Sequence, residues 1–286
     1  MSQTIVNPVY RKRLWKHRIG IALSVVAMSV GLIFLLWILS TLLIKGFSAL
    51  SLDLFLNDTP GPDTEGGGLR NAILGSLMIV GLATFISTPI GVLAGVYLAE
   101  YGEENRFAQV TRFVTDIMLS APSIVLGIFV WTLYVNVAGH YSGYAGSIAL
   151  SLIAIPVVVR TTDNMLRLVP QNLLEAAFAL GAPRWKVATT VRLRAVKSGV
   201  VTGVLLAVAR ITGETAPLLY TALNNQFFSS NMNAPIANLP VVINTFAQST
   251  ANNWVNLAWA ASLLLTFSVL LLNIVSRTMF SQKTTK

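Results

Sequence analysis

Long apolar runs are the feature that most restricts what this chain can fold into. Several exceed the ~18 consecutive apolar residues that indicate a helix crossing a bilayer. Of 286 residues, 54% are hydrophobic and only 11% are charged, whereas soluble domains carry about 25% charged residues. Hydrocarbon offers no hydrogen-bond partners, so a spanning helix must satisfy its own backbone. The sequence therefore predicts an all-α polytopic membrane protein.

Hydropathy divides the chain into six predicted transmembrane helices. A basic tail (1–18) precedes the first helix (19–44), a loop follows (45–71), and a core of five helices (72–276) ends in a second tail (277–286). The six predicted spans are 19–44, 72–98, 117–138, 144–162, 199–223 and 255–276. Two GxxxG pairs, Gly91 with Gly95 and Gly199 with Gly203, predict close approach of helix backbones.

Lysine and arginine predict the orientation. Seventeen lie in or beside the two tails and the loops 99–116 and 163–198, whereas only Lys45 and Arg70 lie on the opposite side. Basic residues favour the cytoplasmic side, so both termini are predicted to be cytoplasmic. The net charge of +9 thus reflects the membrane rather than nucleic acid. The long loops 45–71 and 224–254, on the other side, are expected to cover a cavity or to receive an extracytoplasmic partner.

Arg210 and Glu214 are charges within the predicted fifth span. An ionised side chain in a bilayer costs at least ~2.5–3.5 kcal/mol, so it is expected to face an interior and to have a partner. The simplest interpretation is an intrahelical Arg210–Glu214 pair one turn apart. The functional interpretation is a path for a small oxyanion, with Arg210 as a permanently charged donor and Glu214 holding it. Arg160 is a second candidate contact, or a residue that extends to the headgroups.

The chain lacks the sequence motifs of an ATP-hydrolysing subunit. The dipeptide Gly-Lys of a P-loop does not occur, and the chain has no cysteine. Neither His17 nor His140 is assigned a metal. The sequence therefore predicts neither a cofactor nor enzymatic activity, and any ATP that drives transport is expected to bind another chain.

A short helix in the loop 170–198 is an unusual element for a membrane protein. Residues 173–180 favour a helix, and Gly181 followed by Pro183 ends it. The small Ala176 and Ala177 permit close approach of another surface, and Glu175 adds one charge. The basic residues that follow, Arg184, Lys186, Arg192, Arg194 and Lys197, are expected to face headgroups or a partner. An ordinary surface helix is the alternative.

The stretch Glu175-Ala176-Ala177 with Gly181 resembles the EAA loop of the membrane subunits of bacterial ABC importers. The resemblance implies that this helix is the coupling helix that inserts into a groove of an ATPase subunit. The family pattern continues with an aliphatic residue, one further residue and Leu-Pro. Here Val191 and Leu193 fit, but Arg194 replaces the proline.

Four further stretches are similar to the PstA-type permeases of phosphate-specific ABC importers. They are Glu65–Leu69, Tyr97–Tyr101, Ser120–Val125 and Ala209–Leu218, the last containing Gly-Glu-Thr-Ala-Pro-Leu. The resemblance implies a six-helix ABC type I importer permease (MetI-like) fold in the bacterial inner membrane. It also implies a sister permease subunit, two ATPase subunits and a periplasmic phosphate-binding protein as partners, with inorganic phosphate as cargo.

Three alternatives remain open from the residues. One is a permease for another oxyanion such as sulfate or molybdate. Another is a gradient-driven anion transporter or channel in which Arg210 and Glu214 form a gate or relay. The third is a membrane scaffold without transport.

Overall fold

The structure is a computed structural model that describes four parts of the chain: 8–62, 64, 66–102 and 105–280. Residues 1–7 and 281–286 of the predicted tails, and Glu65 of the family-like stretch, lie outside the described residues.

Every regular element in these ranges is helical. In the first half of the chain they are α1 (Pro8–Ser48), α2 (Asp53–Leu56), α3 (Arg70–Tyr101), α4 (Arg106–Ser120), α5 (Ser123–Val130), a π-helical turn (Trp131–Val135), α6 (Asn136–Ala138) and α7 (Gly143–Arg167). In the second half they are α8 (Gln171–Ala179), α9 (Arg184–Lys186), a π-helical turn (Val187–Arg192), α10 (Leu193–Ala195), α11 (Lys197–Thr212), α12 (Ala216–Thr221), α13 (Leu239–Ala247) and α14 (Asn252–Phe280).

Within the described residues, four helices are long and apolar enough to cross a membrane: α1, α3, α7 and α14. They coincide with the predicted first, second, fourth and sixth spans. Each of the other two predicted spans overlaps a bent helix pair. One pair, Arg106–Ser120 with Ser123–Ala138, is bent by 104°, and the other, Arg184–Ala195 with Lys197–Thr212, is bent by 75°.

The predicted third span, 117–138, began too early. α4 ends at Ser120, and the two residues after it are extended, Ala121 at ψ 137° and Pro122 at ψ 131°. Proline has no N–H to continue a helix and disfavours the helical conformation in the residue before it. The chain therefore turns by 104° between α4 and Ser123–Ala138, so residues 117–120 do not continue the direction of the later segment.

The predicted fifth span, 199–223, was also not one helix. α11 ends at Thr212, and α12 starts four residues later, at Ala216, with Pro217 in its first turn. Proline fits the start of a helix because the N–H it lacks has no partner there. The polar Gly-Glu-Thr stretch thus forms a break in the helix rather than a turn of it.

α7 lies at the centre of the bundle and packs against both predicted GxxxG pairs. A Cβ atom on Gly91 would lie 2.6 Å from Val158 Cβ, and one on Gly95 would lie 2.6 Å from Thr162 Cβ. On another side of α7, a Cβ on Gly203 would lie 2.6 Å from Thr161 Oγ1. The predicted close approach is confirmed for α3 and α11.

The predicted loop 224–254 is only partly a loop. It contains α13, which Asn238 caps by accepting a hydrogen bond from the Val241 N–H at 3.1 Å. α13 buries Val242 and Phe246, and the Phe246 ring stacks on Trp254 with centroids 4.3 Å apart. Nine residues are too few for a span, but their apolar face belongs to the core that α3 and α14 share.

The loop 45–71 folds over the loop after α12. The Asn71 amide donates to Asn225 O at 2.8 Å and to Gln226 O at 3.0 Å, and Trp254 Nε1 donates to Pro60 O at 3.0 Å. The glycines before α3 form a tight turn, because Gly67 has φ +86° and Gly68 packs on the backbone of α2. The two loops form one cover at the end of the bundle opposite the EAA loop.

An ion pair in this cover makes its stability depend on pH. Asp58 accepts from Arg70 Nε at 2.9 Å and from the Phe228 N–H at 3.0 Å. The hydrogen bond from Arg70 holds the pKa of Asp58 below its usual range, and the Phe228 N–H lowers it further. A lowered carboxyl pKa stabilises the folded state above the unfolded value of about 3.9, and this stabilisation is lost as pH falls through the folded value.

We therefore expect acidification to open this cover. Hydrogen–deuterium exchange of the peptide 224–231, corrected for the intrinsic pH dependence, is expected to accelerate as pH falls from about 5 to 3. In Asp58→Asn the exchange should already be faster at pH 7 and should lose that additional dependence. Equal pH profiles in the two proteins would contradict the assignment.

Candidate functional site

The coupling helix predicted from the EAA stretch is α8. It begins after Pro170 and ends in a left-handed turn at Gly181, whose φ is +76°. The Gly181 N–H donates to Phe178 O at 2.9 Å, and the Ala182 N–H donates to Ala177 O at 3.3 Å. These two bonds form a Schellman motif, a helix ending that favours glycine at the left-handed position because glycine has no Cβ atom.

α8 has one face packed on the protein and one face exposed. Leu174 is buried with Leu166, Val169 and Val187, and Ala177 packs against the same cluster. Glu175 and Ala176 are exposed, as expected for a docking surface. Two large apolar side chains nearby are also exposed, Leu180 by 88% and Trp185 by 67%.

Arg192 does not belong to the exposed basic flank to which the sequence assigned it. Its side chain is buried at 7% exposure. Its Nη1 donates to Glu100 Oε1 at 2.8 Å and to Ala99 O at 3.3 Å, and its Nε donates to Leu166 O at 3.0 Å. Arg184, Lys186, Arg194 and Lys197 are exposed, as predicted. The sequence gives no sign of this difference, because all five residues follow one another in one basic segment.

A second group of charges lies next to Arg192 and was missed from the sequence. The Asp163 carboxylate, 3% exposed, accepts from Arg112 Nε at 3.2 Å and from Arg167 Nε at 3.0 Å. Arg112 also donates to the carbonyls of Leu98 at 2.6 Å and Gly102 at 3.0 Å. The i,i+4 spacing of Asp163 and Arg167 at the end of a span could have predicted this ion pair from the sequence.

Arg210 lies in the last turn of α11, and its side chain is exposed on the surface of this chain. The interpretation of an intrahelical pair is wrong, because α11 ends at Thr212 and Glu214 follows Gly213 outside the helix. Glu214 is half-buried. Among the described residues, no hydrogen bond or ion pair joins the Arg210 side chain to another group.

Arg160 lies on α7 with its Nη1 3.7 Å from Asp116 Oδ1 on α4, and both side chains are exposed. The next residue, Thr161, faces Gly203 of α11. Arg210 is seven residues beyond Gly203, which is ~10 Å along the helix, away from the EAA loop. The two arginines thus lie on neighbouring helices at different depths and not in one cluster.

The helices that follow the two breaks, α5 and α12, contact each other. A Cβ atom on Gly127, in the first turns of α5, would lie 2.5 Å from Pro217 Cα, in the first turn of α12. The family-like stretch Ala209–Leu218 therefore packs against α5, whose first residues belong to the stretch Ser120–Val125. Irregular backbone at this position exposes polar groups where an ordinary span would present only side chains.

Comparison with known proteins agrees with this arrangement. Residues 87–281 match the family described as "Binding-protein-dependent transport system inner membrane component". The chain is 60% identical, over 93% of its length and 94% of the relative's, to the phosphate transport system permease protein PstA of Haemophilus influenzae. It is 56% identical to the protein of the same name from Pasteurella multocida, over 97% and 99% of the two chains.

Solved structures of low identity share the fold. A chain of a bacterial alginate ABC transporter, solved with a periplasmic protein that holds an alginate pentasaccharide, aligns over 96% of this chain and 98% of its own length, with a TM-score of 0.63 and 14% identity. A chain of the inward-facing MetNI methionine ABC transporter aligns over 73% of this chain and 94% of its own length, with a TM-score of 0.57 and 18% identity. The fold is that of ABC importer permeases, as predicted.

Proposed function

The chain belongs to the binding-protein-dependent transport system inner membrane components, and within them to the PstA phosphate transport system permeases, and we propose that it forms the translocation path of an ATP-driven importer of inorganic phosphate. It is a multi-pass membrane subunit and not itself an enzyme. The observation that carries the proposal is an exposed coupling helix on a chain without a P-loop, whose relatives of 60% and 56% identity are phosphate permeases.

α8 is proposed to dock into a separate ATPase subunit. Glu175 and Ala176 are exposed, and Leu180 and Trp185 expose apolar surface outside the spans. Apolar side chains grouped on a surface that lipid does not cover favour a protein partner. Ala177 keeps the inner side of the helix small, and Gly181 fixes the direction in which the chain leaves it. Two ATPase subunits would serve this chain and its sister permease.

Arg210 is proposed as the phosphate contact of the path, supported by Glu214 and Arg160. A guanidinium offers donors in a planar fork that suits a phosphate oxyanion. Among the described residues Arg210 has no bond to its own chain, so its donors are available to an anion at the surface that a sister permease would cover. Glu214 would balance its charge in the empty path, and Arg160 would form a second contact nearer the EAA loop.

The other subunits of the complex are proposed to cover surfaces that are exposed on this chain. The apolar window of α1 has 0% of its residues buried, and α1 meets the bundle at Gly46, beside Leu263 of α14. Lipid and the sister permease are proposed to cover it. A periplasmic phosphate-binding protein would approach the cover formed by the loops 45–71 and 224–254. We also propose that both termini lie in the cytoplasm of a bacterial cell, as the distribution of basic residues indicates.

One experiment tests the function against its rivals. The chain is purified in mild detergent, and the proteins that co-elute are identified and reconstituted in liposomes with a phosphate-binding protein. We expect an ATPase and a second permease to co-elute. Uptake of radiolabelled phosphate should require ATP, persist with an uncoupler and resist competition by sulfate and molybdate. Uptake that the uncoupler collapses would indicate a gradient-driven transporter, and no flux would indicate a scaffold.

A further inference from the structure

Arg192 joins the EAA loop to the ends of two spans. Its Nε donates to Leu166 O in the last turn of α7, and its Nη1 donates to Ala99 O in the last turn of α3. The last four carbonyls of a helix have no partner within the helix, and a cation is favoured beside them. One buried side chain therefore caps two helices at once, and Glu100 Oε1 at 2.8 Å balances its charge.

A second arginine makes the same connection from another element. Arg112 on α4 donates to Leu98 O and Gly102 O at the end of α3 and to Asp163 in the last turns of α7. The ends of α3 and α7 are thus held by one guanidinium from the EAA loop and one from α4. α4 in turn leads to the break at Ala121 and Pro122.

The hydrogen bonds of Arg192 fix the relative positions of the EAA loop and the two helix ends more closely than apolar packing does. α8 itself contacts the spans through apolar side chains such as Leu174 and Ala177. Apolar contacts are non-directional, and packed helices slide past each other by small steps. The Arg192 guanidinium binds three oxygens, one from α7 and two from α3, and only one position of the side chain satisfies all three bonds. A movement of the EAA loop, which carries Arg192, therefore moves the ends of both helices.

We propose that Arg192 and Glu100 form the positioning pair that transmits movement of the coupling helix to α3 and α7, and that Arg112 and Asp163 pass it to α4. The inference rests on the proposed function, since it assumes that an ATPase moves α8. From α7 the movement reaches α11 through the contact of Thr161 with Gly203, and α11 carries Arg210. The pair would thereby couple ATP hydrolysis to the path.

The test measures phosphate taken up per ATP hydrolysed in the reconstituted complex. Arg192→Lys keeps the charge but loses the planar fork, and Glu100→Gln keeps the shape but loses the charge. Each is expected to lower the uptake per ATP about fivefold or more while the complex still assembles and hydrolyses ATP. Because the two residues act as a unit, the double variant should be no worse than the poorer single variant.

The matched control is Arg13→Lys. Arg13 lies in the predicted basic tail and is exposed, so its variant should keep the wild-type ratio. A wild-type complex without ATP-driven uptake would overturn the proposed function. With an active wild type, this inference alone fails in either of two cases. The first is wild-type coupling in Arg192→Lys and Glu100→Gln, and the second is loss of assembly in both, which is the behaviour of a purely structural anchor.

Discussion

Phosphate uptake should be lost when Arg210 is replaced by glutamine, while the complex still assembles. The Arg210 side chain is exposed on its own subunit, and no bond to a described residue holds it. Its removal therefore leaves no buried partner unsatisfied within the chain. A hydrogen bond to a charged group contributes about 1.5–3 kcal/mol, so losing the charge should lower uptake ~10–100-fold. Uptake of radiolabelled phosphate by proteoliposomes, with size-exclusion chromatography of the same complex, measures both effects.

Arg13→Gln is the control for Arg210→Gln. It removes the same charge from an exposed arginine of the predicted basic tail, and its uptake should stay near that of wild type. Arg210→Lys should recover part of the uptake, because the ammonium keeps the charge without the planar fork. Normal uptake by Arg210→Gln would show that the anion passes elsewhere in the complex.

The bundle could be predicted from the sequence because apolar length is a local property. A hydropathy window was enough to find four spans, and most of their helices extend a few residues beyond the predicted ends, as α3 does at Arg70–Tyr101 against 72–98. The breaks were harder to place. Ala121 and Gly213 lie within apolar windows, so hydropathy joined the segments on either side of them, although Pro122 and Pro217 marked both places.

The candidate site also has features that local sequence predicts and features that it does not. The short helix of the EAA loop and its end at Gly181 follow from local rules for helix ends, and the structure has both where the sequence predicted them. The burial of Arg192 depends on where the ends of α3 and α7 meet, which is a property of tertiary packing. The Arg210–Glu214 pair failed for a related reason, since i,i+4 spacing implies contact only while the helix continues.

Gly181→Val should release the ATPase subunit or uncouple it. At φ +76° a β-branched residue is strained by about 1–3 kcal/mol. Nothing lies within 4 Å of a Cβ atom at this position, so the effect is conformational and not a clash. Relief of the strain would break the Schellman bonds and turn Leu180 away from its docking direction. We expect ~5–150-fold less ATPase subunit to co-purify, or an equal fall in uptake per ATP.

Two matched variants separate the turn from general damage. Gly181→Asn should keep most of the coupling, because asparagine tolerates the left-handed region. Gly139→Val imposes the same strain, since Gly139 has the same φ of +76° and equally open space. Gly139 ends α6, beyond the span Ser123–Ala138 and far along the chain from the EAA loop. If Gly139→Val also released the ATPase subunit, the loss would come from weakened folding. If Gly181→Val kept it fully coupled, α8 would not be the element that the ATPase moves.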